Sequence, residues 1–336
     1  MHPSKAAISI IIPVYNDPNG LKKCLEAVTG SDFENFECLV VDDNSSEDTV
    51  SVAKQFPVKV IELSENHGPA HARNFGAKCS SADILIFIDS DVLIFPDTIS
   101  KIEQAFQEHN DVAAIIGSYD DQPHETSFIS EFKNLFHHYV HQKSSELAST
   151  FWSGCGAIRK NVFMEAGGFS ESFKRPAIED IELGYRLRKT HHKIMLKKEI
   201  QVKHLKRWTF WGLIKTDVLD RGIPWTHLML RDRSMLNDLK VSTSQRLSVF
   251  LVYLLLLTTV VFVGFFKQLM FLPVLIFLTV LIINIDLYRF FKQKRDFSFA
   301  ARAVPFHFLY YYYSGLSFFL GVITYFFKKG NLKVNY

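Results

Sequence analysis

Short apolar runs alternate with helical patterns over the first 120 residues of the chain. Runs of buried-type residues occur at 8–14, 38–42, 58–63, 84–89 and 112–117. Apolar residues recur at helical spacing in the segments between them, 21–28, 49–55, 70–79 and 97–109. Because strands that are apolar throughout must be covered on both faces, this alternation predicts a Rossmann-like, mainly parallel α/β sheet with flanking helices.

The pattern becomes less regular between residues 121 and 206. Helices are predicted near 128–141 and 178–189, and strand-like segments at 151–158 and 193–206. We expect this part to complete one domain, 1–206, whose two halves meet near residue 120. Aromatic and basic residues over 207–246 predict amphipathic helices next to a membrane.

The last third of the chain predicts a membrane region over 247–336. Residues 247–266 are 20 residues without a charge, enough to cross a hydrocarbon core of roughly 30 Å. A second uncharged stretch is 269–285, whose proline a helix bundle tolerates. The third, 304–327, is weaker, and an interfacial or re-entrant helix is its alternative. Core helices of a soluble protein are the alternative for the first two.

Basic residues predict how these segments lie in the membrane. The stretch before the first segment and the loop after the second are rich in Lys and Arg, whereas Lys267 is the only basic residue between the two segments. By the positive-inside rule, both basic stretches face the cytoplasm. The first residues lack a signal-peptide pattern. We therefore expect a multi-pass protein of the cell membrane with a cytoplasmic first domain.

Charge and cysteine content argue against several classes of protein. The 38 basic and 35 acidic residues give a net charge of +3, so no basic field indicates a nucleic-acid partner. The cysteines are scattered and form no C-x-x-C pair, which predicts buried structural thiols in a reducing compartment and no zinc site. They are Cys24, Cys38, Cys79 and Cys155.

Polar residues follow three of the predicted strands. They are Tyr15-Asn16, Asp42-Asp43 and Asp89-Ser90-Asp91. Ligands of open α/β sheets bind beyond the carboxyl ends of the strands, so these residues are expected to converge on one ligand. Two carboxylates of a D-x-D sequence can hold a hard cation, which would neutralise a departing diphosphate. A solvated turn is the alternative for this sequence taken alone.

Taken in order, these motifs resemble the family 2 glycosyltransferases of the GT-A fold. The resemblance covers about residues 8–204. It rests on SIIIPVYN at 9–16, VVDDNS at 40–45, NHGPA with ARN at 66–74, DSD at 89–91, and GGF at 167–169 before ED at 179–180.

The resemblance implies a role for each matching residue. The donor nucleotide would be bound by Pro13, Tyr15, Asp42, Asp43, Arg73 and Asp89. Asp89, Asp91 and His204 would hold Mn²⁺ or Mg²⁺ on the diphosphate. Asp180 would be the general base that deprotonates an acceptor hydroxyl, and Glu179 would shape the start of its helix or the acceptor site. For Glu179-Asp180, the alternative is an acidic pair that only favours a helix start.

Two further segments border the predicted site. His204–Trp208 resembles the Q-x-x-R-W element of processive polysaccharide synthases, with His in place of Gln. Arg207 would pair with phosphate, and Trp208 would border the acceptor or rest at the membrane; a juxtamembrane segment without a catalytic part is the alternative. Trp152 and Gly154 are expected at the sugar or acceptor pocket, or else in a turn that Trp152 packs.

The resemblance thus implies an inverting, metal-dependent hexosyltransferase at the cytoplasmic face of the membrane. It would move a sugar from a nucleotide diphosphate, with a UDP-sugar favoured, to a hydroxyl of a lipid-linked or envelope glycan. Expected partners are the donor, the glycan acceptor and membrane lipids. One alternative is transfer to polyprenyl phosphate. Another is a catalytically inactive GT-A scaffold, against which the retained carboxylates argue.

Overall fold

The computed structural model of this chain describes residues 6–233, 242–264 and 271–331. These residues divide into two compact units. The first comprises the described residues up to Thr126 together with His141–Arg207, and the second comprises Ser127–Val140 and the described residues from Trp208 onward. Ser127–Val140 joins the second unit because its apolar side chains, such as Phe132, pack with the C-terminal helices.

The first half of the first unit is the predicted parallel sheet. Its strands β1 (Ile8–Val14), β2 (Phe36–Asp42), β3 (Lys59–Glu62) and β4 (Ile84–Ile88) lie side by side in the order β3-β2-β1-β4. Helices α1 (Pro18–Thr29), α2 (Thr49–Ala53) and α3 (Pro69–Cys79) connect them. Ile10 and Ile12 pack into one core and Ile11 into the other, so the sheet is covered on both faces.

The second half of the unit adds strands of both directions. Its elements are β5 (Val92–Ile94), α4 (Thr98–Glu108), β6 (Val112–Tyr119), β7 (Leu147–Ala148), β8 (Cys155–Arg159), α6 (Lys160–Glu165), α7 (Glu179–Lys189) and β9 (Lys193–His204). Helix α5 (Phe128–Lys143) follows β6 along the chain, and its residues up to Val140 belong to the second unit. The order continues β4-β8-β6-β9-β5, and β7 pairs with β9. Within the described residues, four of the eight strand pairings are antiparallel, so the α/β sheet is mixed rather than mainly parallel.

The second unit confirms the predicted C-terminal helical region. It contains α8 (Phe210–Lys215), a π-helical segment (Thr216–Gly222), α9 (Ile223–Asp232), α10 (Thr243–Gly264), α11 (Phe271–Ile283), α12 (Ile285–Lys294) and α13 (Phe297–Asn331). Aromatic side chains of α12 and α13 pack with those of the α5 residues that belong to this unit.

One described helix is long and apolar enough to cross a membrane. It is α10, over Thr243–Val261, and few of its residues there are buried within the protein. Helices α11 and α12 meet the same requirement only as a pair, with a bend of 58° between them. The predicted segments 247–266 and 269–285 extend beyond the described residues. The third, 304–327, lies in α13, which does not meet the requirement, so the described residues support one span, or two, rather than three.

Candidate active site

The strand directions bring the predicted site residues to one edge of the sheet. The carboxyl ends of β1, β2 and β4 share this edge because the strands are parallel neighbours. Strand β8 begins there, since Cys155 lies opposite Ile88, and β9 ends there, since it runs parallel to β6 and hence to β4. The loops before β8 and after β4 therefore lie together with His204.

Arg73 joins two of the acidic residues at this edge. Its side chain is only 4% exposed, with Nη2 donating to Asp89 Oδ1 at 2.6 Å and Nη1 donating to Glu179 Oε1 at 2.9 Å. Burial alone would lower the pKa of Arg73, but the two carboxylates raise it above its ordinary value, so the guanidinium stays charged. Through its two Nη atoms, Arg73 connects α3 to α7 and to the residue that follows β4; its binding of the donor nucleotide stays a prediction.

Asp91 and His204 form a second pair at the same edge. Asp91 Oδ2 lies 3.3 Å from His204 Nε2, and the backbone holds the two together because the Leu205 N–H donates to the Asp91 carbonyl at 2.8 Å. Burial alone would raise the pKa of Asp91, but His204 and Lys206 lower it below its ordinary value. Asp91 is therefore an anionic oxygen donor next to an imidazole nitrogen.

This pair fits a divalent cation as two of its ligands. Adjacent ligands on an ion such as Mg²⁺, each at about 2.1 Å from it, lie about 3 Å apart, close to the separation of the two side chains. In the part of the chain that the structure describes, no group of three His, Cys, Asp or Glu side chains could hold a metal ion. The remaining ligands would have to be water and diphosphate oxygens, which is common for Mg²⁺ in phosphate-transfer sites.

Asp89, the third predicted metal ligand, lies outside this pair. Its carboxylate accepts the hydrogen bond from Arg73, because a buried guanidinium needs a carboxylate partner. Burial raises the pKa of Asp89, and Arg73 opposes that effect. The structure thus makes Asp89 a partner of Arg73 and leaves Asp91 and His204 as the candidate metal donors.

Asp180 lies at the start of α7, beside the loop that precedes β8. Its Oδ1 accepts from the Ile181 N–H at 2.7 Å and its Oδ2 from the Ser153 N–H at 3.2 Å. Burial and the neighbouring charge of Glu179 raise the pKa of Asp180 to about 6, while Ser153 and Arg73 act in the opposite direction. Such a carboxylate is mostly ionised at neutral pH and is a stronger base than an ordinary aspartate.

Glu179 organises the start of the same helix. Its Oε1 accepts from Arg73 and its Oε2 accepts from the Ala177 N–H at 2.9 Å. The carboxylate is almost fully buried. Of the two roles expected for Glu179, the contacts support the shaping of the helix start, and through Arg73 they connect the start of α7 to the carboxyl end of β4.

Asp43, one of the residues predicted to bind the donor nucleotide, is bonded to the loop that precedes α3. Both oxygens of Asp43 accept backbone N–H groups, from His67 at 2.9 Å and from Gly68 at 2.8 Å. Asp43 therefore holds the loop before α3, a role that the sequence alone did not indicate. Asp42 Oδ2 accepts from the Ser45 N–H at 2.9 Å, whereas its buried Oδ1 has no partner among the described residues.

Pro13 and Tyr15, two further residues predicted to bind the nucleotide, differ in their exposure to solvent. Pro13 is buried in β1 opposite Val41, so its ring supports the sheet. Tyr15 follows the strand and is 52% exposed, which leaves its ring accessible to a planar ligand. Of these two residues, Tyr15 is the better placed to contact a nucleotide base.

Aromatic rings line the edge next to His204. The Tyr119 ring stacks on the His204 ring with centroids 4.5 Å apart and planes 8° apart. The Trp152 ring meets Tyr119 edge-on at 4.8 Å. A Cβ on Gly154 would lie 2.7 Å from the Trp152 ring, so Gly154 leaves room for the indole. Tyr119 and Ser153 were missed at the level of sequence, because only the strand register shows where they lie.

The last two predicted residues, Arg207 and Trp208, belong to different units. Arg207 is exposed at the end of the first unit. Trp208 begins the second unit, where it is buried, and its backbone N–H donates to Ser130 Oγ at 2.8 Å. Lys133 Nζ lies 5.8 Å from the centre of the Trp208 ring. The indole therefore belongs to the core of the helical unit.

Comparison with known sequences matches the part of the chain that contains most of these residues, though not Asp180 or His204. Residues 9–167 match the sequence model of glycosyl transferase family 2. An uncharacterised glycosyltransferase of Haemophilus influenzae is 30% identical over 187 residues, which cover 52% of this chain and 60% of the relative. The glycosyltransferase GlyG of Streptococcus pneumoniae is 28% identical over 117 residues, 33% of this chain and 38% of that protein. The chain thus spans less than two thirds of the length of either relative.

Two solved structures share the fold. The mannosyltransferase PcManGT of Pyrobaculum calidifontis, in complex with GDP-Man and Mn²⁺, superposes with a TM-score of 0.54 at 16% identity, covering 67% of this chain and 64% of that one. Residues 1–349 of TarS from S. aureus, in complex with UDP-GlcNAc, give 0.54 at 19% identity, covering 69% and 67%. At such identities the likeness concerns the fold, and it confirms the α/β class predicted from the sequence.

Proposed function

We propose that this chain, whose residues 9–167 match the sequence model of glycosyl transferase family 2, transfers a sugar from a nucleotide diphosphate, with a UDP-sugar favoured, to an acceptor hydroxyl. The observation that carries the proposal is the arrangement of Asp180, Arg73 and the Asp91–His204 pair at one edge of the sheet. Of these, Asp180 is the base, and Asp91 with His204 faces the leaving diphosphate.

The Asp91–His204 pair would hold Mn²⁺ or Mg²⁺ against the diphosphate. Such an ion, when bound, stabilises the negative charge that develops on the leaving group. Asp91 supports this role, because its carboxylate is ionised and is an oxygen donor of the kind that such ions prefer. The Mn²⁺ in the complex of PcManGT supports a divalent cation as well. The Asp91 oxygen suits Mg²⁺ as well as Mn²⁺, whereas the imidazole nitrogen of His204 is a weaker ligand for Mg²⁺, which prefers oxygen.

Asp180 is proposed to take the proton of the acceptor hydroxyl. A base with a pKa of about 6 is ionised at neutral pH and still has useful proton affinity. A deprotonated hydroxyl that attacks the anomeric carbon opposite the diphosphate gives a product of inverted configuration. A polyprenyl phosphate is already anionic and needs no base, so the raised pKa of Asp180 favours a hydroxyl acceptor.

The acceptor is proposed to be a lipid-linked or envelope glycan at the cytoplasmic face of the membrane. Helix α10 supports this, because its apolar residues face outward over a length that can span the bilayer. An enzyme held at a membrane meets acceptors that are themselves anchored there more often than soluble ones.

The test is a donor screen on the full chain in detergent with Mn²⁺, membrane extract as acceptor and release of nucleoside diphosphate as the readout. Asp180→Asn should lose turnover but still bind donor, whereas Asp91→Asn should lose metal-dependent donor binding. Asp111→Asn is the matched control, since Asp111 is an exposed carboxylate before β6, at the opposite edge of the sheet.

The outcomes separate the proposal from its alternatives. Wild-type turnover by folded Asp180→Asn with a saccharide acceptor would contradict the assigned base. Transfer to polyprenyl phosphate that is insensitive to Asp180→Asn would favour that acceptor. Failure of the wild type to bind any common sugar nucleotide in the presence of metal would favour a non-catalytic scaffold.

A further inference from the structure

An irregularity between β6 and β9 sets the environment of His204. Ile116 lies opposite Leu196, but two residues later Ser118 lies opposite Gln201, so β9 gains three residues over β6 at this point. Gly117 allows it, because a Cβ there would lie 2.6 Å from the Ile200 carbonyl oxygen. Irregularities of this kind turn strands and re-aim side chains beside active sites.

The shifted register brings Tyr119 next to His204. Beyond the irregularity, Tyr119 lies opposite Val202, and directly opposite residues of paired strands point to the same face. His204 lies two residues after Val202 and shares that face as well. Without the gain of three residues, Tyr119 would lie opposite Glu199, five residues from His204 and on the other face of β9.

The resulting stack restrains the His204 ring. Tyr119 lies parallel to it at 4.5 Å, so a turn of the imidazole about its last side-chain bond would drive its edge into the phenol ring. Trp152 braces Tyr119 edge-on from one side. In turn, His141 meets Trp152 at 5.6 Å and its Nδ1 lies 3.1 Å from the Gly117 carbonyl oxygen, at the irregularity itself.

We propose that Tyr119 is a positioning residue for His204, holding the imidazole so that Nε2 faces Asp91 and the metal site stays formed. The inference rests on the proposed function, since it needs the Asp91–His204 pair to bind a cation. Tyr119 is not itself a ligand; it acts through the ring on which it stacks. Groups that orient a ligating histidine typically contribute 10- to 100-fold to metal affinity.

The experiment measures Mn²⁺ binding without turnover, by the loss of the free Mn²⁺ paramagnetic resonance signal, on the full chain in detergent with and without UDP. Tyr119→Leu should weaken Mn²⁺ binding by about 10- to 100-fold. Tyr119→Phe keeps the ring and should stay within about twofold of wild type. Phe33→Leu is the matched control, because Phe33 is a partly buried aromatic that packs on the same core as Tyr119, and it should leave the affinity unchanged.

Two further variants, Tyr119→Met and His204→Ala, distinguish a loss of positioning from poor folding and from a wrongly assigned metal site. Tyr119→Met has an unbranched, flexible side chain that can fill the gap left by the ring, and it should weaken Mn²⁺ binding as Tyr119→Leu does, even where the leucine variant folds poorly. Unchanged affinity in folded Tyr119→Leu or Tyr119→Met, with His204→Ala losing Mn²⁺, would overturn the positioning role alone. Unchanged affinity in His204→Ala would show that the proposed metal site is wrong, and the inference with it.

Discussion

The pKa of Asp180 results from opposing neighbours within one cluster of charges. Burial and the carboxylate of Glu179 raise the pKa, while the Ser153 N–H and the Arg73 guanidinium stabilise the ionised form and lower it. Glu179 is in turn bound to Arg73. The basicity of Asp180 therefore depends on how the charge of Arg73 is shared among the acidic residues.

The pH dependence of the reaction should report this balance. Since Asp180, as the proposed base, would act in its deprotonated form, kcat should rise with pH, reach half of its maximum near pH 6 and level off above pH 7. Glu179→Gln removes the charge that raises the pKa, so its acidic limb should move to lower pH. Asp180→Asn should lose about 10²- to 10⁴-fold in kcat. The measurement is single-turnover rate against pH with saturating donor; an unchanged acidic limb in Asp180→Asn would contradict the assignment.

Arg73 should matter for stability as much as for activity. Arg73→Met leaves the buried Glu179 carboxylate without its cationic partner, and breaking a buried ion pair from one side costs about 3–5 kcal/mol. We expect a clear fall in the midpoint of thermal unfolding. The double variant Arg73→Met/Glu179→Gln removes the stranded charge and should recover part of the loss. Equal midpoints for wild type and Arg73→Met would show that the ion pairs contribute nothing.

At the scale of elements, the loop before α3 depends on one glycine. Gly68 has φ of 93°, and a Cβ there would lie 2.6 Å from the Lys174 carbonyl oxygen. Its N–H also donates to Asp43. The residue thus combines a left-handed backbone, a close backbone contact and a hydrogen bond that ties the loop between β3 and α3 to Asp43, the residue after β2.

Gly68→Ala should therefore destabilise the protein more than the matched variant Gly167→Ala. Gly167 also has positive φ, 82°, but no atom lies within 4 Å of its ideal Cβ position. Gly167→Ala should cost about 1–2 kcal/mol from the left-handed conformation alone, whereas Gly68→Ala adds a backbone clash. Unfolding midpoints of the two variants, measured side by side, provide the comparison. Equal losses would mean that the contact with Lys174 is not rigid.

The sequence predicts the elements of the first half of the sheet better than those of the second. The apolar run that becomes β1 identifies its strand directly, because a strand covered on both faces is apolar throughout. The direction of β8 and the shift in β9 depend on pairings between distant residues, which periodicity does not encode. The role of Tyr119 follows from that shift and could not be read from its own neighbours in the sequence.

For the whole molecule, the resemblance to a known family indicated which residues form the site. The contacts in the structure show which groups each of these residues bonds. Asp91 and His204 form the expected pair, and Asp180 lies at a helix start as the sequence implies. Asp43 and Arg73 are predicted to bind the nucleotide, and the structure adds that they bond backbone and carboxylate groups of the protein. Buried polar atoms must find partners, and a motif alone does not say whether those partners are protein or ligand.

Helix α10 carries the prediction that concerns the entire protein. Leu257 and Val260 are 61% and 71% exposed on this helix, so in a membrane they would face lipid. The wild-type protein should remain in the membrane fraction after alkaline carbonate washing. Arginine within a span costs about 2.5–3.5 kcal/mol, so the double variant Leu257→Arg/Val260→Arg should be released in large part.

Leu219→Arg is the control for this experiment, since Leu219 is an exposed leucine of the π-helical segment outside α10 and should leave the protein in the membrane. Release of the wild type by carbonate would mean that α10 does not span. Retention of the double variant would mean that other helices anchor the chain, with the bent pair α11–α12 as the first to test. Because α11 and α12 are long and apolar enough for a span only when they are taken together across their bend, the double variant separates anchoring by α10 alone from anchoring that also involves this pair.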